Sequence, residues 1–465
     1  MGCSDPGSVE ILILVVKIKN MSNKHSEFNQ EVVQKFILFN DYKRNLVYSE
    51  IYHCFFLFNG FYFEHIPPVK FKKIVYNYLL ANTDKNITNN LIDNVISQIK
   101  FTAREQDDYE VGNYISLKDG IYNAEKGILE PLSNELFITY HIPYTYDEIM
   151  KAEMPNFNKF LKSSLVVKDD VNQTDNSLIQ LIKEMIGYFF LSQNVAASFF
   201  LVGDGSNGKS KLCDIVREIF GGHRFCTSMS IERLTTKQFS MPYLIGKKLN
   251  ISHEEESKYM RSDTFKALIS GDSVHAEYKG GDEFDFNPKT KFLFASNQLP
   301  TFDYINKGLS RRMKIIPFNR IFEPEDADFD INIGKKMMTE LPGIIRFGFE
   351  GALELIKNNY IFSNSAASDE SLIEFENEVS SAMRFIRENY KIKEDAIITT
   401  KELYSKYRIW CDETGKKPLN IYNFAKDLKN IKGIKRIRVG HNQDRGVNLI
   451  LKGHFEELEN EEIKF

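Results

Sequence analysis

The sequence predicts an α/β core, preceded by a smaller α+β region and followed by a helix-rich winged-helix domain. Three observations predict it. An apolar run, "ASFFLV", leads through a glycine-rich loop, "GDGSNGKS", into an amphipathic helix, "SKLCDIVREIFG". From residue 177 to about 325, strand-like and helix-like segments alternate, the pattern of a sheet joined by crossover helices. Beyond residue 371, three helical patterns are followed by two short β-rich runs, "GIKRIRVG" and "GVNLILKG".

Taken in order, residues 1–20 hold a short apolar stretch, "ILILVV", with no basic segment before it and a second methionine, Met21, after it. This is not a signal-peptide pattern, and we read it as a leader or extension. Residues 21–170 form the α+β region. "YHCFFLFNGFYFEHIPP" reads as two strands about the turn Asn59–Gly60, a hairpin signal. "FKKIVYNYLLANT" and "NNLIDNVISQIKF" read as amphipathic helices. Residues 171–361 hold the α/β core. "FSNSAASDES", residues 362–371, is small and polar and reads as a linker. Residues 372–465 hold the helix-rich domain.

The chain has 465 residues, a net charge of −4, 42% hydrophobic and 27% charged residues. It is long enough for several domains. It has no overall basic excess, so any nucleic-acid surface must be local. The five cysteines (Cys3, Cys54, Cys213, Cys226 and Cys411) are scattered without a C-x-x-C. That argues against a disulfide framework or structural zinc and for a reducing, cytoplasmic compartment. No apolar run reaches transmembrane length, and no membrane partner is expected.

The loop fits G-x-x-x-x-G-K-[ST], with Gly203, Asp204, Gly205, Ser206, Asn207, Gly208, Lys209 and Ser210, followed by Lys211. Its glycines let backbone N–H groups curl round an anion. The helix start adds free donors and positive potential. Lys209 can reach the β- and γ-phosphates, and the Ser210 hydroxyl can ligate Mg2+. Leu212, Ile215, Val216 and Ile219 give the helix one apolar face. The expected cofactors are ATP and Mg2+.

Four further features follow in sequence. "LIGKKLNISHEEES" is a strand ending in acids, where a carboxylate can help hold Mg2+ and polarise water. Glu254 is the preferred base, with Glu255 and Glu256 as competitors. "FKALISGDSVHAEYKGGDEFDF" reads as a helix end and a hairpin with Lys279 before Gly280–Gly281 at its tip, a place suited to a phosphate contact. "KTKFLFASNQLP" is a buried strand ending in Asn297, whose amide can orient the attacking water. "GLSRRMKIIPF" places Arg311 and Arg312 before another strand, and a guanidinium there can stabilise a transferring phosphoryl group.

In order and spacing these features resemble the superfamily 3 helicases, AAA+ ATPases of viruses, phages and plasmids. The likeness is to the helicase part of satellite-phage and poxvirus-type primase–helicases, over about residues 45–455. It implies an AAA+ core and a homo-hexameric, ATP-driven DNA helicase moving 3′ to 5′ for replication of a mobile element. Glu254 takes the catalytic acid position, Asn297 the sensor and Lys279 the residue gripping single-stranded DNA in the channel. Arg312 is the preferred arginine finger, with Arg311 as the alternative. The strand "LNISHEEE" departs from the family by placing Asn250, Ser252 and His253 where relatives carry apolar residues and paired acids. No primase motif is found, so a separate primase partner is expected.

The run "KDLKNIKGIKRIR", residues 426–438, is the densest basic stretch. Lys432, Lys435, Arg436 and Arg438 are candidates for origin duplex contacts. Tyr404, Tyr407 and Trp410 lie at helical spacing and read as core. An alternative to a helicase is an origin-binding initiator that uses ATP as an assembly switch.

Overall fold

The structure, a computed structural model, describes residues 24–39, 42–84, 86–105, 112–253, 261–279, 283–302, 304–439 and 444–452. The leader 1–20, the acids Glu254, Glu255 and Glu256, and the Gly280–Gly281 tip lie outside the described residues. The chain divides into two compact units, residues 1–111 with 131–141 and residues 112–130 with 142–465.

The first unit contains a sheet of order β3-β2-β1-β4, formed by β1 (Leu46–Ser49), β2 (Cys54–Phe58), β3 (Phe63–Ile66) and β4 (Arg104–Glu105). The hairpin turn between β2 and β3 falls at Asn59–Gly60. Asn59 Oδ1 accepts from Phe61 N and Tyr62 N, each at 3.1 Å, and Gly60 has φ 100°. The helices packed against this sheet include α1 (Lys24–Phe39), α2 (Pro68–Asn82) and α3 (Asn89–Thr102). In α3, Ile92, Val95 and Ile99 recur at helical spacing and are buried. Phe71 of α2 stacks on Phe55 of β2 at 3.7 Å.

The second unit starts earlier than residue 171. Its first elements include the antiparallel strands β5 (Tyr114–Leu117), β6 (Ile121–Asn123) and β7 (Ile128–Glu130) and, after a short helix Tyr146–Lys151, the helix α4 (Pro155–Ser164). Side-chain contacts distant in sequence bind them to the core. Asn113 Oδ1 accepts from Ser192 N at 3.0 Å and from its hydroxyl at 3.1 Å. Tyr122 stacks on Phe349 at 4.4 Å. Glu340 accepts from the N–H groups of Asn156 and Phe157 at 3.0 and 2.9 Å, holding the first turn of α4.

The core is a five-stranded parallel sheet of order β9-β10-β13-β8-β14. Its strands are β8 (Ser198–Val202), β9 (Cys226–Thr227), β10 (Leu249–His253), β13 (Lys291–Ser296) and β14 (Met313–Pro317). Every residue of β13 is buried, as expected for a parallel strand covered on both faces. Beside the sheet lie α5 (Asn176–Phe190), α6 (Lys209–Ile219) and α7 (Ser262–Ser270). The antiparallel hairpin β11 (Val274–Glu277) and β12 (Glu283–Phe286) follows α7. Helix α8 (Leu341–Lys357) crosses α5 so closely that a Cβ on Gly351 would overlap the backbone of Lys183.

The stretch read as a linker, 362–371, is largely helical: α9 spans Ala366–Val379. Ser365 caps it by accepting from Ser368 N at 3.4 Å, and Phe375 is buried against Phe302. Its small polar residues form a cap and a tightly packed first turn, which composition alone does not separate from a flexible joint.

The C-terminal part contains α10 (Ser381–Asn389), α11 (Thr400–Glu413) and α12 (Ile421–Leu428). Tyr407 and Trp410 are buried, and Tyr407 stacks on Phe424 at 4.6 Å. Strands β15 (Arg436–Val439) and β16 (Asp444–Val447) pair antiparallel. The second arm of the expected hairpin is split at Asn448. Beyond it, Leu449–Leu451 pairs with Tyr390–Ile392 instead.

Candidate functional site

The phosphate loop leaves the carboxyl end of β8 and enters α6 at Lys209. Gly203 has φ 153° and Gly208 φ 94°. A Cβ on Gly203 would overlap the Phe318 carbonyl, and one on Gly208 would meet Phe160 Cε2 at 2.6 Å. These conformations and clearances exclude larger residues. Gly208 is the N-cap of α6 and has no side chain to cap it; Asn207 Oδ1 accepts from the first backbone donor, Lys209 N, at 3.4 Å. Ser210, in its first turn, is exposed.

Lys209 is only 6% exposed. Its ammonium donates to the carbonyl oxygens of Gly203 and Asp204, the latter at 3.0 Å, and to Asn207 Oδ1 at 3.0 Å. Burial holds it below the usual lysine range. Asn207 is buried, and its amide nitrogen donates to the Phe318 carbonyl at 3.4 Å. Asn207 thus braces the lysine against the segment following β14. Sequence reading placed it in the loop without that role.

Strand register determines what else stands at the loop's edge. Val202 is level with Ser296 of β13 and Pro317 of β14, and His253 of β10 is level with Ala295. Asn297, the exposed residue after Ser296, therefore lies at the same edge as the loop. So does the end of β10, which leads into the acids outside the described residues. His253 Nε2 contacts Arg217 Nη2 at 2.8 Å, and Arg217 Nη1 pairs with Asp214 at 3.0 Å. This link between α6 and the acidic strand was missed in the sequence, because Arg217 reads as one more charged helix residue.

The arginines stand at the other end. Met313, directly after Arg312, is level with Ser198 at the start of β8. The length of β8, about 13 Å of strand rise, lies between Arg312 and the loop. Arg312 Nε and Nη2 donate to Ser270 Oγ at 2.9 and 2.6 Å, and Nη1 to the Gly308 carbonyl at 2.5 Å. Burial, then the charge of Arg311, lowers its pKa. Arg311 is the more exposed of the two.

Lys279 is exposed on the turn between β11 and β12. In the C-terminal part Lys432 and Arg438 are exposed. Lys435 pairs with Glu394 at 2.5 Å. Arg436 donates to the Ala425 carbonyl at 3.0 Å. Among the described residues no helix is long and apolar enough to cross a membrane.

Residues 23–165 match the family model described as "D5 N terminal like". Residues 201–312 match one described as "Family of unknown function (DUF5906)". A protein of Acanthamoeba polyphaga mimivirus named "Putative helicase L207/L206" is 27% identical over 250 residues. The match takes in 50% of this chain but spans only 25% of that relative. These matches support a D5-like primase–helicase family. Apo structures of the NrS-1 C-terminal region resemble the chain with TM-score 0.45 and 14% to 15% identity, over 87% of this chain and 96% of theirs.

Proposed function

We propose that this chain is an ATP-driven DNA helicase that serves replication, with an AAA+ core and a C-terminal winged helix. The observation that carries the reading is the division of the phosphate loop and Asn297 to one edge of the parallel sheet and Arg312 to the other. An arginine so placed cannot serve its own loop. It suits the loop of a neighbouring copy, which favours a ring, of six subunits by the family resemblance. The D5-like and viral helicase matches support the same reading.

The loop fits a triphosphate. Its glycines curve the backbone, the start of α6 offers donors to an anion, and Lys209 is held by acceptors that a phosphate oxygen can replace. Lys209 would bind the β- and γ-phosphates, and Ser210, with Glu254, would hold Mg2+. The metal supplies charge neutralisation of the phosphates when bound. Asn297 would orient the attacking water, and Lys279 would contact a strand in the channel, 3′ to 5′ translocation being the direction implied by the resemblance. The exposed Lys432 and Arg438 favour a duplex contact by the C-terminal part, and a separate primase would complete the machinery.

The test is the ATP hydrolysis rate with and without single-stranded DNA, in wild type, Lys279→Ala and Lys209→Ala. Stimulation by DNA should vanish in Lys279→Ala while basal hydrolysis persists, and Lys209→Ala should be inactive. Hydrolysis indifferent to DNA in the wild type would favour an initiator that uses ATP as an assembly switch.

A further inference from the structure

Glu376, in the last turn of α9, is a carboxylate only 8% exposed. Its two oxygens face two different elements. Oε1 accepts from the Ser310 hydroxyl at 2.5 Å, and Oε2 accepts from the Arg387 guanidinium of α10. Arg387 also donates to Asn377 Oδ1 at 2.7 Å and to the Ile373 carbonyl at 3.2 Å, both on α9. Ser310 is itself buried and ends the single helical turn Lys307–Ser310, just before Arg311 and Arg312.

That turn and α7 hold Arg312. The Gly308 carbonyl accepts from Arg312 Nη1, while Ser270 of α7 accepts from Nε and Nη2. Asn306 caps the turn by accepting from Leu309 N at 2.9 Å. The C-terminal part touches the same segment at its start. Lys426 of α12 lies 5.0 Å from the centre of the Tyr304 ring, and Asn430 donates to the Ile305 carbonyl at 3.3 Å. Residues 304–310 are thus gripped at both ends by parts of the chain that follow the parallel sheet. A buried ion pair adds little stability over well-packed apolar residues of similar volume. What Glu376 and Arg387 supply is direction. They fix one position for the Ser310 hydroxyl, whereas apolar contact is non-directional.

We propose that Glu376 is a positioning residue for Arg312. Acting through Ser310, it sets the turn whose Gly308 carbonyl aims the guanidinium, and it makes hydrolysis depend on the joint between the core and the C-terminal part. The proposal rests on the reading of Arg312 as a residue that serves the nucleotide of a neighbouring copy. Ser310 stands at the Arg312 edge of the sheet, away from its own phosphate loop. Loss of the Ser310–Glu376 contact should therefore leave ATP binding intact. It should slow only the step in which the guanidinium neutralises the transferring phosphoryl group. A displacement of about 1 Å at such a group can cost on the order of a hundredfold in rate.

The experiment compares Ser310→Ala and Glu376→Ala with the wild-type full chain, each checked by a melting curve. Ser310→Ala removes one hydroxyl from a helical turn and should fold; if Glu376→Ala does not, Ser310→Ala decides alone. KM and the affinity for a non-hydrolysable ATP analogue should stay within about twofold of wild type, while kcat falls about ten- to a hundredfold. Each variant is then mixed with Lys209→Ala, which keeps Arg312 but lacks the loop lysine. Hydrolysis should recover in the mixture, because the variant's intact loop then meets an intact neighbouring arginine. A general structural defect would not recover. Wild-type kcat in Ser310→Ala would overturn the proposal. So would a loss that Lys209→Ala does not relieve, when it does relieve Arg312→Ala. If mixing fails to relieve Arg312→Ala as well, catalysis in trans itself fails and the positioning role falls with it.

Discussion

His275 shows how a single side chain links solution conditions to the β11–β12 hairpin. It stands on β11, and its ring nitrogens face Asp285 at 3.1 Å and Glu283 at 3.3 Å across the strand pair. The hydrogen bond to Asp285 is the largest cause of a raised histidine pKa. A raised folded-state pKa stabilises the protonated hairpin below the unfolded value, near 6.5. That contribution is lost as pH rises through the higher folded value. Amide exchange in β11 and β12 should therefore be slower at pH 6 than at pH 8, after correction for intrinsic rates. His275→Gln should abolish the difference. An unchanged pH response in that variant would remove His275 from the account.

At the scale of elements, the crossing of α5 and α8 depends on the absence of a side chain at Gly351. A methyl there has no room beside the Lys183 backbone, and backbone does not yield as a flexible side-chain tip does. Gly351→Ala should lower stability by about 1–3 kcal/mol, read from chemical denaturation, despite alanine's better helix propensity. A neutral or stabilising result would mean that the helices separate readily. The same crossing lies behind the sheet that carries the loop, so the variant tests the scaffold without touching a proposed site residue.

For the whole molecule, the decisive relation is between opposite ends of one sheet. If Arg312 serves a neighbour's nucleotide, Arg312→Ala should still bind ATP but hydrolyse it about 10³-fold or more slowly. Mixed with wild type, it should depress the rate more steeply than its fraction, because each variant disables a neighbouring site. A rate that falls in proportion to the fraction added would count against catalysis in trans. Arg311→Ala is the control, and loss there instead would move the role to Arg311. Since Arg312 also binds Ser270 and Gly308, both variants need a melting curve alongside the rates.

The sequence by itself determined the local pieces: the glycine-rich loop between an apolar strand and an amphipathic helix, the Asn59–Gly60 turn, the buried strand before Asn297 and the helical core positions Tyr407 and Trp410. These follow from periodicity and from the backbone demands of glycine, which act over a few residues. The tertiary structure decided the relations between pieces. It ordered the strands so that β13 lies between the loop strand and the acidic strand, and it assigned 112–130 to the second unit through Asn113 and Tyr122. It made a helix of most of an expected linker and set Phe160 beside Gly208. The physical reason is that each relation depends on side chains far apart in the chain meeting in one packed interior. Such contacts leave no local period, turn signal or cap in the sequence that joins them.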